Sequence, residues 1–474
     1  MKIVYKKLFP IEPIVCLNLM TISIREMLLN NLLIEMACGV NMGYNKTVCE
    51  SITNGLHRKN NLTNENSKIQ QEINYMLSWC LPINSIIPIV LLLFLGNFSD
   101  ENKIRKPFLI MPTIGDLLST MCCVLCVWYR EVLPVEMGGI AHYVVPALFG
   151  TTPMLYMAAY THIADASVNK TCIVRLAVMQ VCINVSKMVG TVVSGYFFQQ
   201  LGYVVLLLSC MFLQLTVFGY GLFLVEDLQT ETKKSMRSPF SYTRVCETLQ
   251  LVTSSTGIRR TNIVFLLVLQ FLVVTVFLGE GNVYFWFTQQ RYGWTNSDYA
   301  YFQGTRGVLN SLTLSIAVPT LSQLLHFHDI TIITLSLLDK VVSTVVCITV
   351  QTSIGEYISM LVGAFTIAAT SGIRSLSSTY ISADNVGKIQ SLLSIVQAIG
   401  TSVAAQIYNR GIYDYTHNSY PYAFLYLSIV ICIVSVTLCT WKYYNEHEYK
   451  LDDRQDLHKK ENSLTFISNN NNTA

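Results

Sequence analysis

Charge is what this sequence has least of. Asp, Glu, Lys and Arg make up 13% of its 474 residues, against about 25% in a soluble globular chain. So few charges cannot cover a soluble domain of this size. The net charge of +3 is too small to point to nucleic acid. Signatures of catalysis are missing as well: there is no G-x-S-x-G elbow, no P-loop and no H-E-x-x-H. No enzyme is expected, and no work driven by ATP through this chain. His326 and His328 stand two apart with no partner cysteines, so no metal or other cofactor is expected. Arg25 and Glu26 interrupt the first apolar stretch, which argues against a cleavable leader.

Apolar residues fill the space that charge leaves: 52% of the chain, with a mean hydropathy of +0.43. They fall into runs near 11–34, 76–98, 107–129, 138–162, 174–198 and 203–225, then 261–285, 299–322, 329–351, 356–376, 387–408 and 421–441. Each is about 20 residues, enough to cross about 30 Å of hydrocarbon. The expected fold is an all-α polytopic membrane protein, with twelve transmembrane helices in two six-helix bundles, 11–225 and 261–441. A basic linker at 226–260 joins them; 1–10 and the charged, Asn-rich tail 442–474 lie outside the bundles. Lys and Arg concentrate on the side of the linker and termini, which places both termini in the cytosol. The loop 41–75 is then outside, and its sequons make Asn45 and Asn61 glycosylation sites. Asn97, Asn169, Asn184 and Asn471 begin sequons that stay bare in this topology. Of the 14 cysteines most lie in apolar runs and count as small apolar residues. Cys49 lies outside with no evident disulfide partner. The echo of Ile163-Ala164-Asp165…Lys170 in Ile381-Ser382-Ala383-Asp384…Lys388, six spans on, fits a duplicated unit or a coincidence of short loops.

A charge in mid-span costs about 2.5–3.5 kcal/mol on the insertion scale, so those retained should face a partner or a cavity. Gln180, Asn184, Lys187 and Thr191 form one stripe of the fifth span. Lys187 lies roughly 20 Å deep, at a depth similar to Glu26 in the first span. A Glu26–Lys187 pair is expected, either in a solute path or as a structural bridge. Gln303, Arg306, Asn310 and Thr313 form a stripe in the eighth span, and Glu280 of the seventh is expected to pair with Arg306 or to be solvated at the headgroups. Arg374, in the tenth span, can hold an anion through its planar fork or snorkel to the interface. His142 is a candidate proton acceptor or a satisfied interior histidine. Tyr156 and Tyr160 either pack or line a cavity. Asp116, Asp339 and Lys340 occupy spans three and nine, peripheral in such a bundle, and receive no role.

The stretch Gly96-Asn97-Phe98-Ser99-Asp100-Glu101-Asn102-Lys103-Ile104-Arg105-Lys106-Pro107 reads as a charged reversal between spans two and three. It resembles the major facilitator loop G-x-x-x-D-x-x-G-R-[RK], without the second glycine and with the basic pair one residue late. Gly96, Asp100, Arg105 and Lys106 are expected to form a gate, with Asp100 pairing to Arg105. Glu12-Pro13-Ile14-Val15, Gly43-Tyr44-Asn45-Lys46-Thr47, Ala164-Asp165…Arg175-Leu176-Ala177, Gly190…Ser194-Gly195 and Leu201-Gly202-Tyr203 extend the resemblance to solute carrier family 46, from about residue 11 to 441. The resemblance implies secondary active transport of a small organic, anionic, folate-like or peptide-like solute, in a plasma or lysosomal membrane. The partners it implies are the solute, protons as a candidate drive, and the bilayer, with the chain a monomer. Arg374 matches the family's tenth-span arginine. The family's fifth-span glutamate falls on Gln180, its seventh-span histidine on Phe277, its fourth-span aspartate on Thr151, and the partner of its first-loop cysteine is absent around Gly293-Trp294. Proton coupling, where present, then falls to groups such as Glu280 or Glu26. A proton-driven drug antiporter and a non-transporting scaffold are the alternatives.

Overall fold

The computed structural model describes residues 11–57, 59–102, 104–166, 170–225, 257–321, 325, 327–380, 386–416 and 419–445, without the side chains of 96–102, 164–166, 170–177, 180, 224, 257–259, 378, 379, 386–388, 390 and 391. The expectations for both chain ends, the linker, the echoed loops, Asp100 and the Gln180 side chain fall outside that set.

The first bundle opens with α1, Glu12–Met36, which has Pro13 in its first turn and continues as a π-turn, Ala37–Asn41. A short helix, Lys46–Thr53, leads into α2, Thr63–Asn102, and α3, Lys106–Trp128. The fourth crossing, α4, is broken into Val135–Gly139, Ile140–Val144, Val145–Ala147 and Thr151–Ala166, with Gly150 at φ 87° between the last two pieces. The helix Lys170–Leu224 reverses at Gly202, whose φ of 67° and ψ of −172° divide it into α5, 170–201, and α6, 203–224.

The second bundle begins with α7, Gly257–Tyr292. Its α8, Asn296–Leu312, starts on a capping box of Thr295 and Asp298 and ends in a π-turn, Thr313–Ala317. Then come α9, Asp329–Thr349, and α10, in pieces Ser353–Val362, Gly363–Phe365 and Ala368–Tyr380. The last crossings are α11, Val386–Ala404 with the π-segment Ala405–Tyr413, and α12, Ala423–Asn445.

Among the described residues, seven helices are long and apolar enough by themselves to cross a membrane. The twelve crossings exceed that number for local reasons. α5 and α6 run on as one helix across the Gly202 reversal. Arg25, Glu26 and Glu35 load α1 with charge, and α4, α8 and α11 are interrupted.

The structure bears on three expectations about the loops. The reversal at 96–107 is shorter than its sequence suggests, because α2 runs through Gly96 to Asn102 and α3 already begins at Lys106. The expected outer segment 41–75 holds the short helix and the first turns of α2, which begins at Thr63 and is longer than one crossing requires. Cys49 does have a partner: it is bonded to Cys38, with Cα atoms 5.7 Å apart. Cys38 lies just past the first apolar run, in the π-turn at the end of α1, which sets it beside the short helix that carries Cys49. That end is called the loop face below; the side where α2 meets α3 is the linker face.

Candidate functional site

The charges of α1 separate into two environments. Arg25 is 2% exposed and saturated. It pairs with Asp116 of α3 at 2.8 Å, donates to the Asp116 carbonyl at 2.8 Å and to Thr120 Oγ1 at 3.1 Å, and its Nε donates to His142 Nδ1 at 3.3 Å. Asn18 donates to the other Asp116 oxygen at 3.0 Å. His142 therefore acts as an acceptor inside an ionic cluster. Asp116, given no role from its span number, is the counter-ion that lets Arg25 stay in the membrane.

Glu26, the next residue along, is exposed although it sits in mid-helix. So is Lys187 of α5, and their charges act on one another. The expected Glu26–Lys187 ion pair does not form. Lys187 Nζ instead lies 5.8 Å from the centroid of the Tyr156 ring of α4, within reach of a cation–π attraction. The Tyr156 hydroxyl is buried within reach of Lys187. Tyr160 lies one turn further along α4, ring to ring with Tyr156 at 6.2 Å. The charge of Arg374 on α10 acts on Tyr160 from the opposite bundle. Arg374 itself is held by Gln397 Oε1 of α11 at 3.3 Å. An exposed acid and an exposed base at mid-span, facing aromatic rings with an arginine opposite, describe a polar opening between the bundles rather than a lipid surface. Asn184 is half-buried on the Lys187 stripe.

In the second bundle the expected Glu280–Arg306 pair is replaced. Glu280 of α7 binds Lys340 of α9, Nζ to Oε2 at 2.5 Å, and both are buried. Span nine packs chiefly on α10, and from there Lys340 reaches across to Glu280 of α7. Arg306 and Asn310 of α8 instead line a small cavity of about 40 Å³, which they share with Glu280, Lys340 and Glu356 of α10. Glu356 went unnoticed in the sequence. The Arg25–Asp116 and Glu280–Lys340 pairs occupy corresponding crossings, one and three against seven and nine, with the signs exchanged. The signal in the sequence was the lone mid-span acids Asp116 and Glu280, each of which needs a base from a neighbouring crossing.

Hydrogen bonds between the bundles gather on the loop face among the described residues. Gln70 of α2 donates to Gln289 Oε1 at 3.0 Å and accepts from Tyr413 at 3.2 Å. Asn74 donates to Asp414 at 2.6 Å, and Gln290 to Ser67 at 3.1 Å. On the other flank Ser297 of α8 donates to the Gly195 carbonyl of α5 at 2.9 Å. Close packing of α5 on α8 continues this seal. A Cβ on Gly304 would collide with Val192, and one on Gly307 would meet Met188 at 2.8 Å. The bundles are thus closed against each other on the loop face. Toward the linker face, Arg105 is buried at the start of α3 and Lys106 Nζ donates to the Leu222 carbonyl at 2.6 Å.

Known proteins share this architecture. The human organic anion transporter MFSD10 (TETRAN) superposes with a TM-score of 0.61 at 15% identity, covering 91% of this chain and 99% of that one. In sequence, the chain is 23% identical over 448 residues to the Drosophila melanogaster protein named "Probable peptidoglycan muropeptide transporter SLC46", covering 91% of this chain and 85% of the relative. It is 23% identical over 376 residues to the Rattus norvegicus lysosomal proton-coupled steroid conjugate and bile acid symporter SLC46A3, covering 77% and 80%. The Major Facilitator Superfamily pattern matches residues 62–405, from α2 into α11. That match spans well over half of a chain whose helices, crossings and curated relatives all agree with it, and the protein belongs to the Major Facilitator Superfamily of membrane transporters.

Proposed function

We propose that this protein carries an amphipathic organic anion across the membrane by alternating access, in symport with protons. The observation that carries the reading is the neighbouring Tyr156 and Tyr160 of α4, the first met by Lys187 of the same bundle and the second by the charge of Arg374 from the opposite bundle. An ammonium against a tyrosine ring offers a carboxylate or sulfate one contact and an apolar ring face another. A guanidinium in the other bundle adds a bidentate partner. Muropeptides, steroid conjugates and bile acids, the compounds named for the relatives, combine an anionic group with an apolar or sugar body. A solute touching both bundles binds differently as they rock, which is what coupling to alternating access requires.

The loop face is the non-cytosolic side in this reading, with both termini in the cytosol of a cell whose plasma or lysosomal membrane holds the protein. The exposed Asn45 and Asn61 then meet the glycosylation machinery. Arg105 and Lys106 belong to the cytosolic gate, with Gly96 and Asp100 at the end of α2. The solute path runs past Glu26, Gln180, Asn184, Lys187 and Arg374.

The test is uptake into proteoliposomes of a labelled steroid sulfate and a labelled muramyl dipeptide, with and without an inward proton gradient. Lys187→Ala and Arg374→Ala should each cut initial uptake at least tenfold while the protein still melts as the wild type does. Uptake unchanged in both variants contradicts the site. Uptake driven by acid inside contradicts symport and favours a drug antiporter. No flux of any anion, with a stable protein partner on the linker or tail, favours a scaffold.

A further inference from the structure

The cavity among α7, α8, α9 and α10 is too small for an organic solute. At about 40 Å³ it holds a few waters at most, at roughly 10–15 Å³ each. Its walls nevertheless carry two acids, Glu280 and Glu356, and two bases, Arg306 and Lys340. They are unevenly matched. Lys340 is spent on Glu280 Oε2, while Glu280 Oε1 is buried with no hydrogen-bond partner. Arg306 makes no hydrogen bond among the described residues. Glu356, 1% exposed, touches no cation within bonding distance. It accepts instead from the Tyr284 hydroxyl, from the Tyr292 hydroxyl at 2.9 Å and from Cys347 Sγ at 3.2 Å. The Tyr284 hydroxyl can equally accept a proton-bearing Glu356, so that carboxyl is satisfied in either state.

The matching cluster in the first bundle gives the contrast. There every nitrogen of Arg25 donates to a neighbour and both Asp116 oxygens are engaged. Buried polar atoms are satisfied as a rule, and an exception calls for a role. Two crossings, α7 and α9, hold the same kind of pair as α1 and α3, yet only the second-bundle pair leaves an acid oxygen bare beside water-sized space.

We infer that this cavity is a proton-binding site, separate from the solute opening, in which a proton on Glu280 Oε1 releases Lys340 to Glu356. One proton enters and one O–H bond forms; the ion pair exchanges partner and no other bond breaks. The inference rests on the symport reading above and gives its proton an address. With a second acid at hand, Lys340 keeps a counter-ion throughout, which is what a buried ammonium requires. Other titratable groups facing the pair are Tyr284 on α7, Cys347 on α9, Tyr408 on α11 and Cys432 on α12, with Arg306 on α8. The exchange is felt at α8, since Arg306 and Asn310 line the cavity while Gly304 and Gly307 of the same helix press on α5. Lys187 of the solute opening is on α5 beside Met188.

The experiment is difference infrared spectroscopy of the full-length protein in bilayers as the pH is lowered, without solute. The wild type should show a protonated-carboxyl stretch that Glu280→Gln removes. Glu280→Gln/Lys340→Gln is measured alongside, because it removes both members of the ion pair and leaves neither of the two without its partner. It should lack the same band. A band that persists in both variants overturns the inference. In proteoliposomes, proton-driven accumulation of the labelled anions by either variant should fall to the level seen without a gradient, and accumulation that still follows the gradient overturns it too. If the wild type moves no anion at all, the function proposed above fails, and the infrared band still decides the cavity.

Discussion

Arg25 illustrates how a membrane helix keeps a charge that its hydropathy argues against. Its guanidinium is saturated by Asp116, Thr120 and His142. Removing one partner of a buried pair leaves the other uncompensated, at about 3–5 kcal/mol. Asp116→Ala should therefore lower stability by about that much, read as thermal unfolding in detergent. Arg25→Met/Asp116→Leu should recover most of the loss; a double variant as unstable as the single one would contradict the pairing argument. The sequence told us that these charges needed partners and did not tell us which. Lys340 is the clearest case. Spans three and nine are peripheral in the plan of the bundle, yet each carries one charge that pairs with a neighbouring crossing. Glu26 and Lys187 were legible as mid-span charges at equal depth, but whether they touch or only share an opening depends on helix rotation, which a stripe of residues does not specify.

At the scale of elements, the loop face is stitched by short polar contacts from α2 to α7 and α11. Asp414, past the membrane-crossing part of α11, accepts from Asn74 of α2. Burial in this closed face raises its carboxyl to about 6, with the Asn74 hydrogen bond and Arg410 pulling the other way. A raised carboxyl means that the closed face binds the proton more tightly than the open one. Closure should therefore strengthen as the pH on that face falls through about 6 toward the ordinary value of 3.8. Spin labels at the exposed Tyr75 and Tyr415 should show the short-distance population growing between pH 7.5 and 5, and Asp414→Asn should flatten that dependence. The Cys38–Cys49 bridge ties the end of α1 to the short helix beyond it. Cys49→Ser should cost about 2–4 kcal/mol, measured by thermal unfolding with and without reductant. The bridge was illegible because the apolar run gave no sign of where α1 leaves the membrane; the π-turn at 37–41 decides that.

For the whole molecule, the two-by-six plan was readable from the spacing of apolar runs, since length alone makes a membrane crossing. The conformation was not, because it depends on which ends of the bundles touch. Closure on the loop face depends on α5 and α8 meeting through glycine. Gly304→Leu would drive a side chain into Val192. It should shift the Tyr75–Tyr415 label distance to the longer population and slow uptake at least tenfold. An unchanged distance would show that the α5–α8 contact does not control closure. The central claim, that the opening between the bundles carries an organic anion, is tested most directly by proteoliposome uptake of a labelled steroid sulfate by the wild type and Lys187→Ala side by side. The account predicts saturable uptake raised by acid outside and lost in the variant; uptake by Lys187→Ala equal to that of the wild type would contradict it.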